Sequence, residues 1–134
     1  MIALTELTDK ITIKLDGSVA NEQMQCIATW KDHRLLPVVI LNVYIPDKAV
    51  GVTNDTTEVD LITAPAPDFK RTVDFISIYN TNSTEHILTI LFRTNTSSTI
   101  IWRGELDAGE RVQYTNENGF MAFDNEGAIK YATG

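Results

Sequence analysis

The chain has 134 residues, a net charge of −7, and 43% hydrophobic against 22% charged residues, the make-up of one soluble globular domain and of neither a disordered nor a fibrous chain. So acidic a balance excludes a phosphate-tracking role, because nucleic-acid affinity comes chiefly from Lys and Arg releasing counterions, and here the basic residues are scattered, with Lys70-Arg71 the adjacent pair. A single cysteine, Cys26, excludes an internal disulfide and a multi-thiolate metal centre.

The opening residues Met1 to Glu6 carry no positive n-region, and Glu6 and Asp9 interrupt any apolar run, so the expectation is no secretory signal and folding in a cytoplasm. A possible N-terminal arm covers residues 1–10. Ile11 to Leu15 alternates with period two and directs Ile11, Ile13 and Leu15 to one face, with Asp16-Gly17 as the turn that follows. Gln23 to Trp30 reads as a second strand that buries Met24, Cys26, Ala28 and Trp30. Pro37 to Tyr44 reads as a third, β-branched and covered on both faces. The apolar stretch around it, Leu35 to Ile45, contains Pro37 and Asn42 and falls far short of the roughly 20 residues of a bilayer span, so no membrane partner is expected.

Gly51 to Thr57 reads as polar and turn-rich. Glu58 to Thr63 alternates again, and Ala64-Pro65-Ala66-Pro67 stops it, since proline cannot donate to a ladder. From Thr72 strands follow at short, even intervals: Thr72 to Tyr79, His86 to Arg93, Thr99 to Glu105, Glu110 to Thr115, Phe120 to Phe123 and Ala128 to Tyr131. Turn clusters rich in Asn, Asp and Gly separate them. No segment has helical periodicity with caps. The pattern predicts an all-β chain, a single antiparallel β-sandwich or jelly-roll-like domain over residues 1–134 with an extended N-terminal arm.

Little in the chain points to chemistry. His33 and His86 are not spaced as paired ligands, no Gly-x-Ser-x-Gly signature occurs, and no residue is assigned as catalytic or metal-binding. Glu105, Asp107 and Glu110 bracket a turn and read as a solvated hairpin in preference to a calcium site. Asn54, Asn82 and Asn95 open acceptor-like triplets that mark exposed loops. Trp30, Trp102, Tyr79, Tyr114 and Tyr131 are aromatic, and Trp102 beside Arg103 is the candidate for stacking on a sugar ring.

With the strands laid out, Arg71 to Lys130 resembles the small β-sandwich structural proteins of tailed bacteriophages. The resemblance is carried by Ala64 to Pro67, by Lys70 to Asn80, by Leu106 to Tyr114 with Asp107-Ala108-Gly109-Glu110, by Gly119-Phe120 and by Asp124 to Ile129. The opening Leu4 to Ile11 is similar as well. It implies a virion component, made in the bacterial host cytoplasm, without enzymatic activity or cofactor. That component is tail-, neck- or fibre-associated, with a capsid decoration protein and a host-glycan-binding module as alternatives. Its partners are then other virion proteins and further copies of itself. Apolar groups in extended or edge positions name Leu4, Leu7, Pro65, Pro67, Phe69 and Trp102 as interface residues. Gly109 and Gly119 are expected at turns, and Tyr114 opposite Phe120 across a hairpin.

Overall fold

Period-two alternation builds both layers of the fold. The computed structural model describes residues 1–34 and 44–130. Among them lie β1 (Ile2–Leu4), β2 (Lys10–Leu15), β3 (Gln25–Arg34), β4 (Tyr44–Val52), β5 (Val59–Ile62), β6 (Phe69–Tyr79), β7 (His86–Arg93), β8 (Ser98–Leu106), β9 (Arg111–Thr115) and β10 (Gly119–Phe123). In β2, Ile11, Ile13 and Leu15 stand opposite Phe92, Ile90 and Leu88 of β7, so one face of this pair is wholly apolar. In β3, Cys26 and Ala28 stand opposite Ile78 and Ile76 of β6, which supplies the facing layer.

The strands form two antiparallel sheets packed as a β-sandwich. Sheet A runs β10-β9-β6-β3-β4, and sheet B runs β5-β2-β7-β8. The inward sides of both meet in one continuous core that includes Leu4, Ile13, Met24, Trp30, Ile62, Ile76, Leu88, Leu106 and Tyr114. Three bulges break the ladders, the first at Leu61, the extra residue of β5 between its pairings with Ile11 and Thr12. Asp74 is the extra residue of β6 between its pairings with Thr29 and Trp30. Ile101 is the extra residue of β8, which leaves Trp102 opposite Ile90 and turned inward.

One end of the sandwich is held by buried amides. Asn80, fully buried just after β6, donates through Nδ2 to the carbonyls of Leu106 (2.8 Å), Thr84 (3.0 Å) and Asp107 (3.2 Å). Its own N–H donates to Glu110 O, and its carbonyl accepts from Gly109 N. The β6–β7 and β8–β9 crossings between sheets are thereby joined at one residue. Gln23 does the same for two other crossings: its Oε1 accepts from the Thr53 hydroxyl and from Asp55 N, and its Nε2 donates to Asp55 Oδ1 at 2.8 Å.

Several expectations change in the structure. The N-terminal residues are extended, but they lie as β1 along the first half of β6, with Leu4 opposite Arg71 and fully buried. Asp16-Gly17 does not close a hairpin, because β2 pairs with β5 and β7 and the chain then crosses to sheet A. Gly109 (φ 80°) and Gly119 (φ 67°) do take the left-handed conformation at turns. The segment Gly51 to Thr57 begins inside β4, whose alternation from Tyr44 to Val52 is masked by Pro46 and Gly51. The expected strand Pro37 to Tyr44 lies outside the described residues apart from its last position, as does Tyr131. Ala128 to Lys130 contributes an isolated bridge, Phe123 to Ile129, in place of a strand.

Candidate functional site

The sheet A face that points away from the core follows from the register. Across β4, β3, β6, β9 and β10 one row reads Val50, Ile27, Ser77, Gln113, Met121, and the next reads Val52, Gln25, Tyr79, Arg111, Phe123. Val50 is 75% exposed, Val52 55%, Tyr79 40% and Ile27 38%. Single exposed apolar residues are ordinary, whereas four in adjacent rows next to an edge strand form a patch. Burying a Val or Ile side chain fully contributes about 1.5–3 kcal/mol each, so this cluster exceeds the roughly 0–1 kcal/mol of any single surface ion pair around it.

Charge on this face is predominantly positive. Lys48 lies opposite Thr29, Lys31 opposite Pro46 and Thr72, Lys70 opposite His33, and Arg111 opposite Tyr79 and Phe123. Arg111 stacks its guanidinium 5.0 Å from the Phe123 ring centre. Asp74, at the bulge, is the carboxylate among the described strand residues of the face, 3.7 Å from Lys31 Nζ. Desolvation first and Lys70 second push the His33 imidazole below its ordinary value of 6.5, so it adds no charge at neutral pH.

The outer face of sheet B is built differently. Arg93 donates Nε to Glu58 Oε1 at 2.6 Å and a second N–H to Glu58 Oε2, and the Thr12 hydroxyl donates to the same carboxylate. The Arg93 hydrogen bonds hold the Glu58 carboxyl at about 2 against the opposing pull of partial burial, with Thr12 adding to the lowering. Lys10 pairs with Asp60 at 2.9 Å and Arg103 with Asp16 at 2.5 Å. This face therefore satisfies most of its charge internally. A cleft of about 550 Å³ opens beside it, lined by Leu7, Lys10, Thr12, Glu58, Ala64 and Arg93.

A second cleft, of about 640 Å³, lies between β8 and β10 and is lined by Trp102, Arg103, Glu105, Asp107, Phe120 and Lys130. The Trp102 ring lies over Gly104, where a Cβ would come within 2.8 Å of its six-membered ring, so glycine at 104 is what lets the indole lie flat along the strand. Tyr114 and Phe120 face each other across the β9–β10 hairpin with ring centres 5.1 Å apart.

The residues named from sequence as an interface do not converge. Leu4 and Pro65 are buried in their own chain, Phe69 and Trp102 are half-buried, and Leu7 and Pro67 are exposed. Leu7 and Trp102 line separate clefts. Ile27, Val50, Val52 and Tyr79 do share a face, yet the sequence names none of them as interface residues and Tyr79 only among the aromatics. Lys48, Val50 and Val52 share the outward side of β4, and only the neighbour order of the strands brings them beside Ile27 and Tyr79.

The acidic trio also resolves differently. Glu110 is buried, accepting from Asp107 N at 2.8 Å and from Lys130 Nζ at 2.6 Å, and is a brace at a sheet crossing instead of part of a solvated hairpin. Glu85, Glu105 and Asp107 bring exposed carboxylate oxygens within 4.8 Å of one another, as exposed acids at turns commonly do. His33 and His86 stand in different sheets at opposite ends of the sandwich. Asn54 and Asn95 are exposed, but Asn82 is buried, its side-chain oxygen accepting from Thr84 N at 3.0 Å. Among the described residues no helix is long and apolar enough to cross a membrane. Comparison with known proteins finds no matching family model, no matching curated protein and no matching solved structure.

Proposed function

We propose that the chain is a non-catalytic assembly module, a structural component of a tailed-phage virion that docks onto a larger ring or fibre through the outer face of sheet A and its edge strand β4. The observation that carries this reading is the exposed cluster of Val50, Val52, Ile27 and Tyr79 on the outer face of the six-stranded sheet A. The resemblance of Lys70 to Asn80 and Leu106 to Tyr114 to phage sandwich proteins supports the virion setting. Edge strands that are left open invite pairing with another chain, and β4 carries Pro46, Asp47 and Lys48 as brakes on unselective pairing.

Immunogold electron microscopy of purified particles of the source phage, with antibody to the recombinant protein, tests this. Label along tail, neck or fibres is expected. Label spread over the head instead assigns the module to capsid decoration, and unlabelled intact particles remove the virion role. The β8/β10 cleft favours a second reading, saccharide binding, because it sets the Trp102 and Phe120 rings beside Arg103, Glu105 and Asp107. Retention on a host-glycan column that Trp102→Ala abolishes is its expected outcome.

A further inference from the structure

We infer that the partner of the sheet A face is an acidic protein surface with an apolar centre, and not a second copy of this chain docked face to face. The inference rests on the assembly reading above and adds the chemistry of the partner. The chain carries a net charge of −7, yet the strand residues of this face set Lys31, Lys48, Lys70 and Arg111 against Asp74. On sheet B, Lys10, Arg93 and Arg103 each sit within ion-pair distance of a carboxylate, and Lys14 is the exception. On sheet A, Lys31 has Asp74, while Lys48, Lys70 and Arg111 meet no carboxylate at that distance among the described residues.

Lys48 next to the exposed valines, Arg111 in the row of Val52 and Tyr79, and Lys70 farther along the same face are unmatched cations in a molecule of net negative charge, and together with the apolar cluster they define the complement. A two-fold dimer through this face sets the cations against their own copies, and like charges across an interface are selected against. A nucleic acid matches the cations but gives Val50, Val52 and Ile27 no apolar counterpart, and it approaches a molecule of net negative charge. A protein patch with carboxylates around aliphatic or aromatic residues satisfies both features. In that arrangement the charges steer the encounter and reject wrong partners, and the apolar centre holds the complex.

Fluorescence anisotropy with the full chain tests this, using a labelled random copolymer of Glu and Tyr as the acidic, apolar probe and poly-Glu and oligo(dT) as comparators. The wild type is expected to bind the Glu–Tyr copolymer more tightly than either comparator and to release it as salt rises. The variant K31E/K48E/K70E is expected to bind it about tenfold more weakly, at a modest contribution per surface charge pair. Val50→Asp is expected to weaken it as well. Val50 and Lys48 are exposed, so unchanged melting curves show that the variants fold. Equal binding by wild type and the charge-reversed variant, tighter binding to oligo(dT), or a dimer in sedimentation that Val50→Asp dissociates would each overturn the inference. Particle labelling reads the assembly proposal independently. Unlabelled particles with charge-dependent copolymer binding remove the virion setting and leave the chemistry of the face, and labelled particles with charge-independent binding do the reverse.

Discussion

Asn80 donates from one amide nitrogen towards three carbonyls, and no other side chain type of its size supplies two N–H groups and an acceptor at once. Asn80→Ala leaves those buried carbonyls short of a donor, and the expected cost is about 2–3 kcal/mol in a urea denaturation curve. Asn80→Asp keeps the shape but turns a donor into an acceptor against the carbonyls, so it is expected to cost more than the alanine. Cys26 makes a second test at this scale. Burial pushes its thiol up to about 12, so the nucleophilic thiolate is scarce at mildly alkaline pH. Alkylation with iodoacetamide is expected to be absent in the folded protein and prompt after addition of guanidinium. Labelling of the native chain at the rate of a free thiol would show that the Cys26 layer opens.

At the scale of elements, β1 is the most lightly anchored strand. It spans three residues, and its first N–H donates to the Tyr114 hydroxyl at 2.9 Å, which in turn donates to Asn116 Oδ1 at 3.1 Å. Tyr114→Phe removes both bonds and keeps the ring against Phe120. The expected result is a loss of about 1 kcal/mol and faster amide exchange at Ile2 to Leu4, with little change at β9. Most strands were legible in the sequence because Ile11-Ile13-Leu15 alternates with the polar Thr12 and Lys14, and Cys26-Ala28-Trp30 and Ile76-Ile78 recur at period two in segments bounded by turn residues. β4 was not, because Pro46 and Gly51 break its pattern. Both are tolerated for a reason that only the sheet order reveals, since β4 sits at the edge, where a missing N–H or side chain costs little. The candidate face was illegible for the same cause: which exposed residues adjoin depends on the β4–β3–β6–β9 neighbour order, and no periodicity along one strand encodes that.

At the scale of the molecule, acid tolerance follows from the Glu58 pairing. The folded-state carboxyl lies at about 2, against an ordinary value of 4.5, so its contribution is present above pH 4.5 and is lost as pH falls towards 2. Glu58 and Arg93 are partly solvated, so solvent screening keeps the effect small. The expected outcome is a melting midpoint that declines more steeply from pH 4.5 to about 2 in the wild type than in Glu58→Gln. Parallel declines in the two proteins would show that other carboxylates govern the transition.

β6 accepts β1 along its first half and β9 along its second, both on the same side, while β3 covers the other. The beginning of the chain and a strand more than a hundred residues later thus become end-to-end neighbours on one template. During synthesis β1 has nothing to pair with until residues 71–73 have emerged, whereas β3 meets its other neighbour β4, and β2 its neighbour β5, before then. Closing such distant segments before any contact compensates for the lost chain freedom makes folding slow, and it places the step that commits the fold at the emergence of β6. A nascent chain halted before Phe69 therefore holds only the pairs β3–β4 and β2–β5, without the central strands β6 and β7 that complete each sheet, and the released full-length chain acquires its protease resistance in one late step.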